Sequence, residues 1–348
     1  MLKSTYRDRR AVSVENEHLR VTVLEGGGHI AEILDKASGI NPLWAPIWPS
    51  VEPGAFDASH HPTFGPHADG PLLASIMGHN LCLDIFGGPS EEEARAGLTA
   101  HGEASVAIYE IDGEGAALRM RALPPLAELR VERRVELRQR AVRVRETVEN
   151  LSACDRPVGW TQHVTLGPPF LETGTTAFRA SATRSRVFES QFGADDYLQP
   201  GTDFDWPLAP GVDGAPRDLR VFTDTTPSSA YTAHLVDPQH DDGFFVAFSP
   251  AAQLAFGYVW NRRDFPWLGI WEENASRLSS PWNGRSITRG MEFGVSPFPE
   301  SRRQMIDRGR LFETPTYRWL PALTAVTVEY SAVMQHASAI PERLSWPP

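Results

Sequence analysis

Two short stretches carry residues that could move protons. In "GMEFG" (290–294), Glu292 stands between Met291 and Phe293, so on an alternating strand it points to the opposite face from both. In "TQHVTLG" (161–167), His163 lies near the end of a short strand that is cut by Gly167-Pro168-Pro169. A carboxylate can take a proton near neutral pH, and an imidazole titrates close enough to neutrality to give one. Such a pair can open a hemiacetal: one proton leaves the anomeric hydroxyl, another reaches the ring oxygen, and the ring recloses after rotation about C1–C2. Singly, each residue also has an ordinary reading, as a solvated surface glutamate and a satisfied core or edge histidine. This chemistry needs no metal, nucleotide or covalent intermediate. The sequence has no P-loop, GxGxxG after a strand, GxSxG or zinc-type spacing.

Further polar residues gather near aromatic ones. "YVWNRRDFPWLGIWEEN" (258–274) places Trp260, Trp267 and Trp271 beside Asp264, Glu272 and Glu273. Flat aromatic faces next to carboxylates suit a sugar, whose C–H faces stack while its hydroxyls hydrogen-bond; a tryptophan-rich core layer is the alternative. His101 precedes a glycine in "TAHGEAS", at the expected start of a strand. His60, His61 and His67 crowd one loop, with His79 following, but HxH or HxxxH spacing on regular structure is missing, so a polar loop outweighs a metal site. Arg262, Arg263 and Arg285 are candidates for an anionic substituent, or for surface pairing.

Strands must position these groups. "LRVTVLEGGGHIAEILD" (19–35) reads as strand, glycine turn, strand, and 104–122 repeats the form around Asp112-Gly113-Glu114-Gly115. In 126–150, Leu129, Val131, Val135 and Leu137, then Val142, Val144 and Val148, alternate with arginines and glutamates. Two half-exposed antiparallel strands with cross-strand ion pairs explain this better than a basic patch. Residues 242–261 form another hairpin and 323–336 a last strand, while short helices are expected within 89–102, capped by Ser90, and within 299–309. Long loops at 41–80 and 190–240 are rich in Pro, Gly and His and are placed to carry a site.

The composition narrows the partners. The net charge of −11, from 33 basic and 44 acidic residues, argues against nucleic acid. No apolar run is long enough for a membrane span, and the first residues lack the apolar core of a secretory signal. Cys82 and Cys154 read as buried free thiols in a reducing cytoplasm. Strands from about residue 10 to 336, without a linker, predict one all-β domain over 1–348.

The order of a glycine-turn hairpin, "HG", "QHVTLG" and "RGMEFG" resembles the aldose 1-epimerase (galactose mutarotase-like) superfamily over nearly the whole chain. The resemblance implies a large antiparallel β-supersandwich with few helices, a small carbohydrate as partner, and no cofactor or metal. It implies His163 as general acid on the ring oxygen, Glu292 as general base on the anomeric hydroxyl, and His101 as a holder of substrate hydroxyls. The family's substrate arginine has no match here, since His79 and Asn80 stand in its place, and Asp264 or Glu272 could replace its aspartate. With Trp267 and Trp271, these complete the expected binding set. Gly290 and Gly294 read as room for a sugar ring. Two other functions are compatible: a non-catalytic carbohydrate-binding protein on the same fold, and a related glycoside hydrolase or lyase using Glu272 or Glu273 as second carboxylate.

Overall fold

The structure, a computed structural model, describes residues 1–347. The period-2 alternation becomes antiparallel pairing throughout. One sheet runs, in spatial order, Leu2–Tyr6, Arg9–Glu15, Leu19–Leu24, Ile30–Asp35, His79–Asp84, Arg156–Leu166, Ile287–Gly294, Trp267–Asn274, Ser228–Val236, Ala182–Val187 and Asp203–Asp205, with Arg318–Leu320 added beside Arg156–Leu166. The second runs Ala177–Ala180, Asp242–Ser249, Leu254–Asn261, Ala325–His336, Ala141–Asn150, Leu129–Arg138, Ala117–Ala122 and Glu110–Glu114. Their facing sides share one apolar cluster that includes Val131, Val144, Trp160, Phe245, Met291 and Phe293. The fold is the expected all-β sandwich.

The arginine-rich hairpin pairs in register from Leu129↔Asn150 to Arg138↔Ala141, and its burial alternates as the apolar positions predict. Arg133 breaks the expectation of solvated charges. It shares the inward parity of Val131 and Val135, and its Nε lies 2.8 Å from Glu146 Oε2 with both side chains fully buried. A buried ion pair persists only when its remaining polar atoms are satisfied. Here Arg133 donates to Gly28 O and to the Tyr330 hydroxyl, and Glu146 accepts from Trp160 Nε1 and Gln162 Nε2.

The 242–261 hairpin is buried on both faces because the C-terminal tail crosses it, seating Leu344 against Phe244, Val246, Phe248, Ala255 and Val259. The structure corrects several expectations. The strand after "HG" begins only at Glu110; Glu103–Ser105 is a 3-10 turn, so His101 precedes a turn. The supposed 190–240 loop contains Ser228–Val236, a fully paired strand deep in the larger sheet. The two capped helices are shorter than their windows, Glu91–Arg95 and Arg302–Arg308, each with a capping box, on Ser90 and Ser301. Cys82 is buried, but Cys154 is exposed, in the short connection that passes from one sheet to the other.

Candidate active site

Four neighbouring strands of the larger sheet, Arg156–Leu166, Ile287–Gly294, Trp267–Asn274 and Ser228–Val236, present one face to a cavity of about 330 Å³. Strand parity decides which side chains reach it. On Arg156–Leu166, Thr161, His163 and Thr165 share this face, and on Ile287–Gly294, Thr288, Gly290 and Glu292 do. The pairing Gly269↔Glu292 and Trp271↔Gly290 brings Trp271 beside them. His163 Nε2 lies 3.0 Å from Glu292 Oε1, with both groups almost fully buried at the cavity wall. Glu292 therefore faces His163 rather than water.

The glycines serve the carboxylate. A Cβ at Gly290 would collide with Glu292 Oε1 and crowd Trp271, and one at Gly269 would collide with the Tyr231 hydroxyl. Gly290 thus makes room for Glu292 to lie across the sheet, and Gly294 for Thr161; neither offers the space for a sugar ring expected from sequence. The Tyr231 hydroxyl donates to Glu292 Oε2 at 3.2 Å, so both carboxylate oxygens are held. Burial, reinforced by the Glu292 charge, pushes the Tyr231 phenol well above its ordinary value and keeps it a donor. The same two causes raise the Cys82 thiol beneath the site, so it stays protonated.

His101 comes from the loop ahead of the 3-10 turn, at positive φ (64°), followed by Gly102 (φ 75°), whose Cβ would strike the Leu83 carbonyl. That loop delivers its imidazole to 4.6 Å from the His163 ring, centroid to centroid, and to the cavity. Burial first, then nearby His163 and His29, hold the His101 imidazole well below its ordinary value. Asn80, fully buried, sits behind both rings: its Nδ2 is 3.3 Å from His163 Nδ1 and its Oδ1 3.1 Å from His101 Nδ1.

Of the residues expected at the site, His101, His163, Glu292 and Trp271 line the cavity together. The others are corrected by parity or packing. His79 faces the sandwich interior, where its ring nitrogens meet Tyr258 Oη and Gln162 Oε1, each at 3.0 Å. Asn80 supports the histidines without reaching the cavity. Trp267 is buried away from it, donating to Pro315 O and packing near Phe312. Glu272 points inward to Arg289 (3.3 Å) and accepts from the Tyr197 hydroxyl. Asp264 pairs with Arg318 and borders a different groove, on the other sheet. Glu273 accepts from the backbone N–H of Ser276 and Arg277, capping the turn after its strand. Neither Glu272 nor Glu273 supplies a second carboxylate across the cavity. Arg262 and Arg263 meet His240 O and Asp241 at the surface, and Arg285 is exposed. His60 and His67 are exposed and His61 stacks on Phe56; among the described residues no three His, Cys, Asp or Glu converge as a metal site would need.

Arg277, Trp282, Tyr231 and Asp69 also line the cavity and were not singled out from sequence. The Arg277 guanidinium lies over Trp282 (4.8 Å), Trp271 (5.3 Å) and Phe192 (5.5 Å), with its Nε 3.4 Å from Glu273 Oε2. Among the described residues its terminal nitrogens have no hydrogen-bond partner, and the residue lines the cavity. Its position four residues after Glu273, just beyond a tryptophan-rich strand, was the available signal.

With this geometry in place, comparison with known proteins is informative at the level of fold. No family model matches the chain, and no curated protein matches it. Solved structures do. A candidate aldose 1-epimerase from Klebsiella pneumoniae superposes with a TM-score of 0.71 at 14% identity, covering 96% of this chain and 82% of that one. A galactose mutarotase related enzyme from Lactobacillus acidophilus gives 0.60 at 12% identity, over 95% and 99%. A galactose mutarotase-like protein from Clostridium acetobutylicum gives 0.62 at 11% identity, over 96% and 98%. The chain has the galactose mutarotase-like fold.

Proposed function

We propose that the protein binds a small free sugar in this cavity and interconverts its anomers without a cofactor. The observation that carries the reading is the His163–Glu292 contact, 3.0 Å, at the wall of a cavity flanked by Trp271 and Trp282. Glu292 takes the proton of the anomeric hydroxyl while His163 presents Nε2–H to the ring oxygen; the C1–O5 bond opens, C1 rotates, and the ring recloses. Tyr231 holds Glu292, and His101 and Arg277 hold hydroxyls remote from C1. The likeness to mutarotase-like folds supports this reading, as does the single core shared by both sheets, which fits one domain over the chain. Two free thiols suit a reducing compartment such as the cytoplasm.

The test is anomerisation of a panel of free sugars, followed by polarimetry or saturation-transfer NMR. His163→Ala and Glu292→Gln are each expected to lower the rate by about 10²–10⁴-fold. Unchanged rates in both would overturn the assignment. Sugar binding by calorimetry with no acceleration in the same sample would instead establish a carbohydrate-binding protein.

A further inference from the structure

We propose that Asn80 fixes the two site histidines in opposite tautomers, so that His163 works as a neutral Nε2–H donor and not as an imidazolium. A side-chain amide has one end that only donates and one that only accepts. Asn80 Nδ2, 3.3 Å from His163 Nδ1, donates to it; Asn80 Oδ1, 3.1 Å from His101 Nδ1, accepts from it. The Thr165 hydroxyl, 3.0 Å from the same Nδ1 of His163, can donate to it once Asn80 makes that nitrogen an acceptor. His163 Nδ1 is therefore bare and its proton sits on Nε2, facing Glu292 Oε1 at 3.0 Å.

Each other form of His163 conflicts with a neighbour. A neutral ring protonated on Nδ1 would set a bare Nε2 against the carboxylate. An imidazolium would set Nδ1–H against the amide N–H. The neutral Nε2–H form satisfies Asn80, Thr165 and Glu292 together. His101 is the mirror case: Nδ1–H is used on Asn80, and Nε2, without a partner among the described residues, is left to accept from a substrate hydroxyl.

The groups around His163 reinforce this. Glu292 is the carboxylate in contact with it, from the neighbouring strand. Tyr231, reaching Glu292 from beyond, and Cys82, below, both stay protonated. His101, His79 and His29, from three other segments, are held neutral by burial. Trp271 contributes an uncharged ring at 5.9 Å.

The tautomers stand on geometry alone, whereas their catalytic consequence rests on the anomerisation reading. In that step the O1–H proton passes to Glu292, C1=O1 forms, and the C1–O5 pair goes to O5. The developing oxyanion is met by the Nε2–H hydrogen bond; a neutral imidazole can act as an electrophile in this way. Reclosure returns the proton from Glu292 to O1, so the charges balance without a proton leaving the imidazole.

Two-bond ¹H–¹⁵N spectra of the full-length protein read the tautomers directly. Nε2–H on His163 and Nδ1–H on His101 near neutral pH are expected; a doubly protonated or Nδ1–H His163 would overturn the proposal. The anomerisation rate should stay level from about pH 7 to about pH 9, where an imidazolium acid would lose about tenfold per pH unit above its midpoint. In Asn80→Asp, a carboxylate that only accepts draws a proton onto His163 Nδ1, so the ring becomes doubly protonated and the rate falls with rising pH. An unchanged proton pattern in that variant would remove the role of Asn80, while simple structural damage would lower the rate without moving either readout. If no sugar is anomerised, the proposed function fails, and the spectra still decide the tautomers.

Discussion

His79 and Asn80 are adjacent on one strand and serve opposite sides of the sheet. His79 enters the sandwich interior, between Tyr258 and Gln162, and Asn80 lies under the two cavity histidines. The interior network continues through Gln162 to Tyr330 and Glu146. His79→Leu removes one hydrogen bond each from Tyr258 and Gln162 and is expected to cost about 1–3 kcal/mol in urea unfolding. Sugar KM and the tautomers of His101 and His163 should not move. Altered site tautomers at wild-type stability would show that the two faces are not separable.

The Arg133–Glu146 pair is the centre of that network. Removing one partner leaves an uncompensated buried charge, so Arg133→Met or Glu146→Gln alone should destabilise by about 3–5 kcal/mol. The double variant Arg133→Met/Glu146→Gln should cost less than the sum of the singles, because no charge remains to be buried. Additive losses in chemical denaturation would mean that packing, and not charge, dominates at this site.

The same pair shows what the sequence left hidden. Val131, Val135, Val144 and Val148 alternate strongly enough to set the hairpin and its register, but the parity that buries them also buries Arg133, whose charge reads as exposed. Glu292 and His163 were singled out by the resemblance that their motifs carry, because singly each had an ordinary reading, as a surface glutamate and a core or edge histidine. Tyr231 and Arg277 were not singled out: Tyr231 reaches Glu292 across 61 residues and Arg277 packs on Phe192 from a distant turn, pairings that no local pattern reveals; Asn80, expected to touch substrate, instead supports histidines 21 and 83 residues away. Ser228–Val236 was missed for a related reason, since it is buried on both faces and shows no alternation.

Arg277 supplies a prediction about binding. Its guanidinium lies among three aromatic rings, and the residue lines the cavity. Burial lowers its pKa from the ordinary value, and Glu273, Asp196 and Asp69 oppose that shift. Arg277→Met removes the donors but keeps the apolar stem, so sugar affinity should fall about 10–100-fold, the loss of a charged hydrogen-bonding group. Arg277→Lys should recover only part, because an ammonium lacks the planar fork. Unchanged affinity in calorimetry for Arg277→Met would exclude this residue from the subsite.

Four histidines whose folded surroundings resist protonation make the fold sensitive to acid. His29 and His234 are each lowered to about 3 by burial, and His79 and His101 well below their ordinary 6.5. The unfolded chain binds these protons near pH 6.5, whereas the folded chain refuses them until far lower pH. Below that point the unfolded state carries more protons, so stability falls as pH falls; above it the effect vanishes. Each histidine can contribute a slope of up to about 1.4 kcal/mol per pH unit. Urea midpoints should therefore be level from about pH 7 upward and drop steeply toward about pH 5. His234 bonds to Ser185 and Thr232, four strand positions across the larger sheet from His79, and is the cleanest probe. His234→Gln should lower stability at neutral pH yet flatten the acid slope by up to one proton. An unchanged slope in that variant would show that the acid loss arises from other groups.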